Sequence, residues 1–146
     1  MPIRQHNKAF ITTFSAGLLA LLWFYAALSK LMDFQFFKEA IHKQPLYPVI
    51  QFFVIYGLPA AEIITGGGLL IARFSKSFFY VSAIMLYAFT VYIALILFRA
   101  FGHIPCGCGG VIGHMGWTFH LWFNLVFLAL NTFTIIIYQR KEPGDN

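Results

Sequence analysis

Charge is what this sequence has least of. Lys, Arg, Asp and Glu make up 10% of its 146 residues, against about 25% in an average soluble domain, which argues against a water-soluble globular fold. Cysteine is scarcer still, with Cys106 and Cys108 the only two, so no second pair exists to shuttle electrons from a soluble partner. Repeats, low-complexity segments, Rossmann glycine motifs and phosphate loops are missing. The net charge of +5 comes without a basic stripe or an RNA-binding signature, which removes nucleic acid as a partner.

What the chain does have is apolar: 60% of its residues are hydrophobic and 19% aromatic. Apolar runs at 10–32, 49–72, 78–101 and 117–138 each reach the roughly 20 residues that a bilayer core demands. The expectation is an all-α polytopic membrane protein, a four-transmembrane-helix bundle that forms one domain over residues 1–146 within the lipid bilayer. The first run is longer than the apolar part of a signal peptide and lacks a small-x-small cleavage site, so it reads as a retained anchor. An even number of spans puts both termini on one side. Arg4, Lys8, Arg73, Lys76, Arg140 and Lys141 fall on that side, and Lys30, Lys38, Lys43 and Arg99 on the other. The positive-inside rule then places both termini in the cytoplasm and the loop at 102–116 in the periplasm of a bacterial inner-membrane protein, where disulfides persist.

Between the first two spans, Phe34, Phe37 and Ile41 recur at helical spacing opposite Gln35, Lys38, Glu39 and His42. This predicts a short helix at about 34–44 lying in the membrane interface and ending before Pro45, either with a role in the chemistry or as an amphipathic lid. In the second span Gly57, Ala61 and Thr65 at intervals of four, with Gly66-Gly67-Gly68 extending the small surface, predict close helix approach, and Pro59 predicts a bend because it removes a backbone donor.

The cysteines stand one residue apart in a loop, Gly102 to Gly116, that holds six of the chain's twelve glycines. A bridge between them needs a tight bend, since bridged Cα atoms lie within about 7 Å, and Gly107 lowers the backbone cost. So small a ring constrains the unfolded chain little, and strain makes the bond easier to reduce, as suits a catalytic disulfide. The start of the fourth helix would favour a thiolate there. Cys106 is assigned as the exchanging thiol and Cys108 as the resolving one. The alternatives are an inert pair, or a soft-metal site in which Cys106 and Cys108 join His103, His114 or Met115 to hold Cu(I) or Zn(II).

Glu62 is the sole carboxylate within any span, and an unpartnered charge there costs roughly 2.5–3.5 kcal/mol, which predicts protonation or a hydrogen-bonded site. His120, Asn124 and Asn131 follow i, i+4 and i+11 along one face of the fourth span. At about 1.5 Å per residue, Glu62 and Asn131 both fall about 20 Å from the outer boundary, which predicts that they can meet. Proton relay and plain interhelical hydrogen bonding are the two readings of this seam.

With these residues in place, the chain resembles the MauE/DoxX group of small four-helix membrane proteins over about Gly17 to Asn131. The likeness rests on Ala27-Leu-Ser-Lys-Leu-Met-Asp-Phe34, on Gly57-Leu-Pro-Ala-Ala-Glu62 with the glycines after it, and on Pro105-Cys-Gly-Cys-Gly109 followed by Trp117, His120 and Asn124. MauE is associated with maturation of methylamine dehydrogenase, a disulfide-rich periplasmic enzyme, and DoxX relatives with quinone-linked or thiol-stress functions. The fold is also similar to the bundle of vitamin K epoxide reductase, which passes electrons between cysteines and a quinone. The resemblance implies a thiol-disulfide oxidoreductase that exchanges with a periplasmic thioredoxin-like or disulfide-containing protein. It also implies a quinone as cofactor, with Glu62, His120, Asn124 and Asn131 lining its site or relaying protons. A non-catalytic assembly subunit is the further alternative.

Overall fold

A computed structural model of the chain describes residues 2–44, 46–71, 75–98 and 117–139, with side chains from residue 7 onward except that of Trp117. The first apolar run forms α1 (Pro2–Met32). Its buried positions Ala16, Leu19, Ala20, Trp23, Ala26, Ala27 and Lys30 recur at the three- and four-residue spacing of a single helical stripe. Alanine dominates that stripe, which lets other backbones come close, while Leu21, Tyr25 and Leu28 point outward. Small and polar residues inside with large apolar ones outside is the arrangement of a helix packed in lipid.

Asp33 ends α1 and caps α2 (Phe34–His42), its carboxylate accepting from the backbone N–H of Phe36 at 3.3 Å. The short helix has an apolar face as its spacing predicts. Phe37 and Ile41 are buried against Ile55 of the second span, with Val54 and Leu58 beside them. Gln51 fastens the turn that follows by donating to the carbonyls of Gln44 at 3.3 Å and Leu46 at 3.1 Å. Tyr92 ties the same turn to the third span through a 2.7 Å hydrogen bond to Gln44 Oε1.

The second span is interrupted. It consists of α3 (Pro48–Phe52), a π-helical turn (Phe53–Gly57) and α4 (Leu58–Leu70). The wide turn lies directly before Pro59, whose ring crowds the preceding turn and whose missing N–H leaves a carbonyl without its usual donor. The third and fourth spans are α5 (Ser75–Leu97) and α6 (Trp117–Gln139). Four segments are thus long and apolar enough to cross a membrane, Asn7–Met32, Pro48–Leu70, Ser75–Leu97 and Thr118–Gln139, and the described residues contain no strand.

The four spans close a ring in which α1 packs on α4, α4 on α5, α5 on α6 and α6 back on α1. Leu19, Ala20, Trp23, Leu69, Phe79 and Leu86 fill its centre, with Phe89, Phe127 and Leu128 against them. Within the expected small-residue surface, close approach is made by Gly66 and Gly68 and not by Gly57. A Cβ at Gly66 would come within 3.3 Å of the Phe24 ring and 3.4 Å of the Ala20 carbonyl, and one at Gly68 would collide with the ring of Phe78, whereas Gly57 has nothing within 4 Å. The π-helical turn explains the difference, because it shifts the helical phase between Gly57 and the buried face of Pro59, Glu62, Thr65, Gly66 and Leu69.

Candidate functional site

Two polar layers cross the bundle. The deeper one is built on Ser82 of α5, whose hydroxyl accepts from Trp23 Nε1 of α1 at 2.9 Å and from Asn131 Nδ2 of α6 at 2.9 Å. One small hydroxyl therefore fixes the relative heights of three helices, and Ser82 and Asn131 are fully buried around it. The Oδ1 of Asn131 has no partner among the described residues.

The second layer is an ion pair. Lys30 Nζ of α1 donates to Glu62 Oε1 of α4 at 2.8 Å and to the Ala26 carbonyl at 3.0 Å. The two side chains are 9% and 1% exposed, so the pair is shielded almost completely. Taking two charges out of water is costly, and such a pair persists only when its geometry is good. Glu62 is thus hydrogen-bonded within the bundle, one of the two outcomes its position predicts. Its second oxygen, Oε2, has no partner among the described residues, and neither has the Nδ2 of Asn124 on α6.

The partner of Glu62 is accordingly Lys30 and not Asn131. Counting depth from the start of each apolar run fails because the spans do not begin level with one another. Lys30 stands almost at the end of α1, yet it touches Glu62, which lies far along the second span. The segment from Pro48 through the π-helical turn extends past the end of α1 alongside α2, so Glu62 sits nearer the end of the bundle where α1 stops than its sequence count implies. Lys30 is also removed from the charges that flank the membrane. The count of flanking cations then becomes six against three, in the same direction as before.

Asn124 is buried and His120 half-buried, one turn apart on α6. The polar residues of α6 therefore do face the bundle as their spacing predicts, but they divide between the two layers. Asn131 belongs with Ser82, and Asn124 and His120 belong to the end of the bundle where α5 stops and α6 starts. Cys106, Cys108, His103 and His114 lie outside the described residues. Among the described residues no group of three or more His, Cys, Asp or Glu side chains is placed to hold a metal ion.

Sequence reasoning missed Lys30, Trp23 and Ser82. For Lys30 the signal was present, because it falls seven residues after Trp23 on the same alanine stripe. A lysine so near a helix end reads as one whose ammonium snorkels to the interface, and only the neighbouring carboxylate reverses that. Ser82 carried no comparable signal, since a lone serine in an apolar run is commonplace.

The sequence profile of one family, described as methylamine utilisation protein MauE, matches residues 8–138. No curated protein matches the chain, and no solved structure does either. The matched stretch takes in α1 from Lys8, both polar layers and all four spans, so the chain belongs to the methylamine utilisation protein MauE family.

Proposed function

We propose that this multi-pass membrane protein exchanges disulfides with exported proteins and so assists their maturation, through Cys106 and Cys108 on the periplasmic face of a bacterial inner membrane. The observation that carries the reading is the buried Lys30–Glu62 pair, with Asn124 and His120 on α6, towards the helix ends that flank the stretch of sequence containing both cysteines. Lys30, Glu62, Asn124 and His120 all lie within a few turns of the helix ends that flank residues 99–116. The family description, methylamine utilisation, supports a role in readying an exported enzyme of that metabolism.

In the oxidising direction a substrate thiolate attacks Cys106, a bond forms between the two sulfurs, and the Cys106–Cys108 bond breaks. The second substrate thiolate then displaces Cys106, leaving a substrate disulfide and a Cys106/Cys108 dithiol. Re-forming the bridge releases two electrons and two protons, and a membrane quinone, when bound, would accept both. The donor set suits such a group, since Asn124 Nδ2, Lys30 Nζ and His120 can each hydrogen-bond to a carbonyl oxygen. Glu62, with one oxygen unpartnered, is the group to hold a departing proton. Run in reverse, the same steps reduce a substrate disulfide.

The test is to trap the thiols of Cys106 and Cys108 with acid and an alkylating reagent in cells with and without respiratory quinone. The pair should accumulate in one redox state when quinone is absent, and either Cys106→Ser or Cys108→Ser should capture a reducible adduct with an exported protein. A pair whose state ignores quinone, together with two serine variants that form no adduct and keep full function, would leave an assembly role as the better reading.

A further inference from the structure

The upper layer has more polar groups than partners. Glu62 Oε2 is an acceptor without a donor, and Asn124 Nδ2 is a donor without an acceptor, among the described residues. Lys30 uses two of its three N–H groups, on Glu62 and on the Ala26 carbonyl. Glu62 and Asn124 are 1% and 6% exposed, so solvent at the surface does not serve them.

These groups share one level of the bundle. Trp23 of α1 and Asn131 of α6 both bond to Ser82 Oγ, which aligns the two helices there. Lys30 lies seven residues beyond Trp23, and Asn124 seven residues before Asn131, on helices that run in opposite directions and pack together. Each helix therefore climbs about 10 Å from the common level, and Lys30 and Asn124 arrive at similar heights.

We infer that Lys30, Glu62 and Asn124 form a buried binding site for one hydroxyl oxygen. Chemical elimination selects the class. The Lys30–Glu62 pair is neutral overall, which favours neither a cation nor an anion, and a carbonyl oxygen would accept from Asn124 and Lys30 but leave Oε2 of an ionised Glu62 without a donor. A hydroxyl oxygen accepts from Asn124 and Lys30 while its own proton goes to Glu62 Oε2, so that Glu62 Oε2, Asn124 Nδ2 and the third N–H of Lys30 each gain a partner. Water and the ring hydroxyl of a hydroquinone share that chemistry. The inference does not depend on disulfide exchange by the cysteines.

The test is infrared difference spectroscopy on the full chain in nanodiscs of saturated phosphatidylcholine, comparing the parent with Asn124→Leu and Glu62→Gln. The parent should show an O–H stretching band that both variants lose. A band that shifts in water labelled with oxygen-18 assigns the hydroxyl to water. A band that ignores the label, disappears when co-purified lipids are stripped and returns with an added short-chain hydroquinone assigns it to that ring. Gly68→Ala displaces the Phe78 ring without touching a polar atom of either layer and should keep the band, which separates loss of the site from general loosening. If Glu62→Gln does not fold, Asn124→Leu gives the same reading with the ion pair intact. An O–H region identical in the parent and Asn124→Leu overturns the inference, as does a band lost equally in Gly68→Ala.

Discussion

Replacing Lys30 by methionine should be among the most damaging single changes within the spans. Methionine keeps most of the apolar stem but removes the counter-charge 2.8 Å from Glu62 Oε1, and Glu62 is 1% exposed with its other oxygen already unpartnered. Breaking a buried pair from one side costs about 3–5 kcal/mol. A lone charge in a helix centre costs roughly 2.5–3.5 kcal/mol on the lenient insertion scale, so a loss of about 3 kcal/mol is expected, with protonation of Glu62 setting the lower limit. Glu62→Leu should be milder. The stranded Lys30 still has the Ala26 carbonyl, and its long stem near the end of α1 can swing the ammonium towards the interface. The double variant Lys30→Met/Glu62→Leu should return to within about 1 kcal/mol of the parent, because an apolar pair of similar volume replaces a buried ion pair at little or no loss. Titration with sodium dodecyl sulfate in mixed micelles, followed by circular dichroism, measures all four proteins. The two changes should couple by about 2–3 kcal/mol, well above the roughly 0.3–0.5 kcal/mol scatter of independent sites. Additive effects, or a Lys30→Met variant as stable as the parent, would refute the pair as a structural element of the bundle.

The other expectations concern packing and the deeper layer. Gly68→Ala should destabilise by about 1–3 kcal/mol in the same titration because the Phe78 ring has to move, whereas Gly67→Ala, with nothing within 4 Å of the new methyl, should be neutral or gain up to about 1 kcal/mol from helix propensity. Ser82→Ala removes the acceptor shared by Trp23 and Asn131, and at about 0.6 kcal/mol per interhelical contact it should cost roughly 1–2 kcal/mol. It should also shift the fluorescence of Trp23, read in a background with Trp117 and Trp122 replaced by Phe. An unchanged spectrum would show that the indole N–H has a different partner.

The extent of each helix was legible in the sequence because helix formation in lipid depends on local matters: unbroken apolar length, a capping residue and a proline. The runs at 10–32, 49–72, 78–101 and 117–138 overlap the apolar stretches Asn7–Met32, Pro48–Leu70, Ser75–Leu97 and Thr118–Gln139, although α1 itself starts well before its run, at Pro2, and the spacing of Phe37 and Ile41 gives the buried face of α2. Periodicity also showed that Asn124 and Asn131 share a face of α6, since 3.6 residues per turn is a property of a single helix. The nonlocal part was how far each helix is shifted along its neighbours. That shift depends on the path of α2, on the phase change at the π-helical turn before Pro59 and on where Gly66 and Gly68 admit the Phe24 and Phe78 rings. It decides that Glu62 meets Lys30 instead of Asn131, and that a serine on α5 bridges α1 and α6. A lysine two residues from a helix end is a surface charge by every local rule, and becomes a core residue only because packing sets a carboxylate beside it.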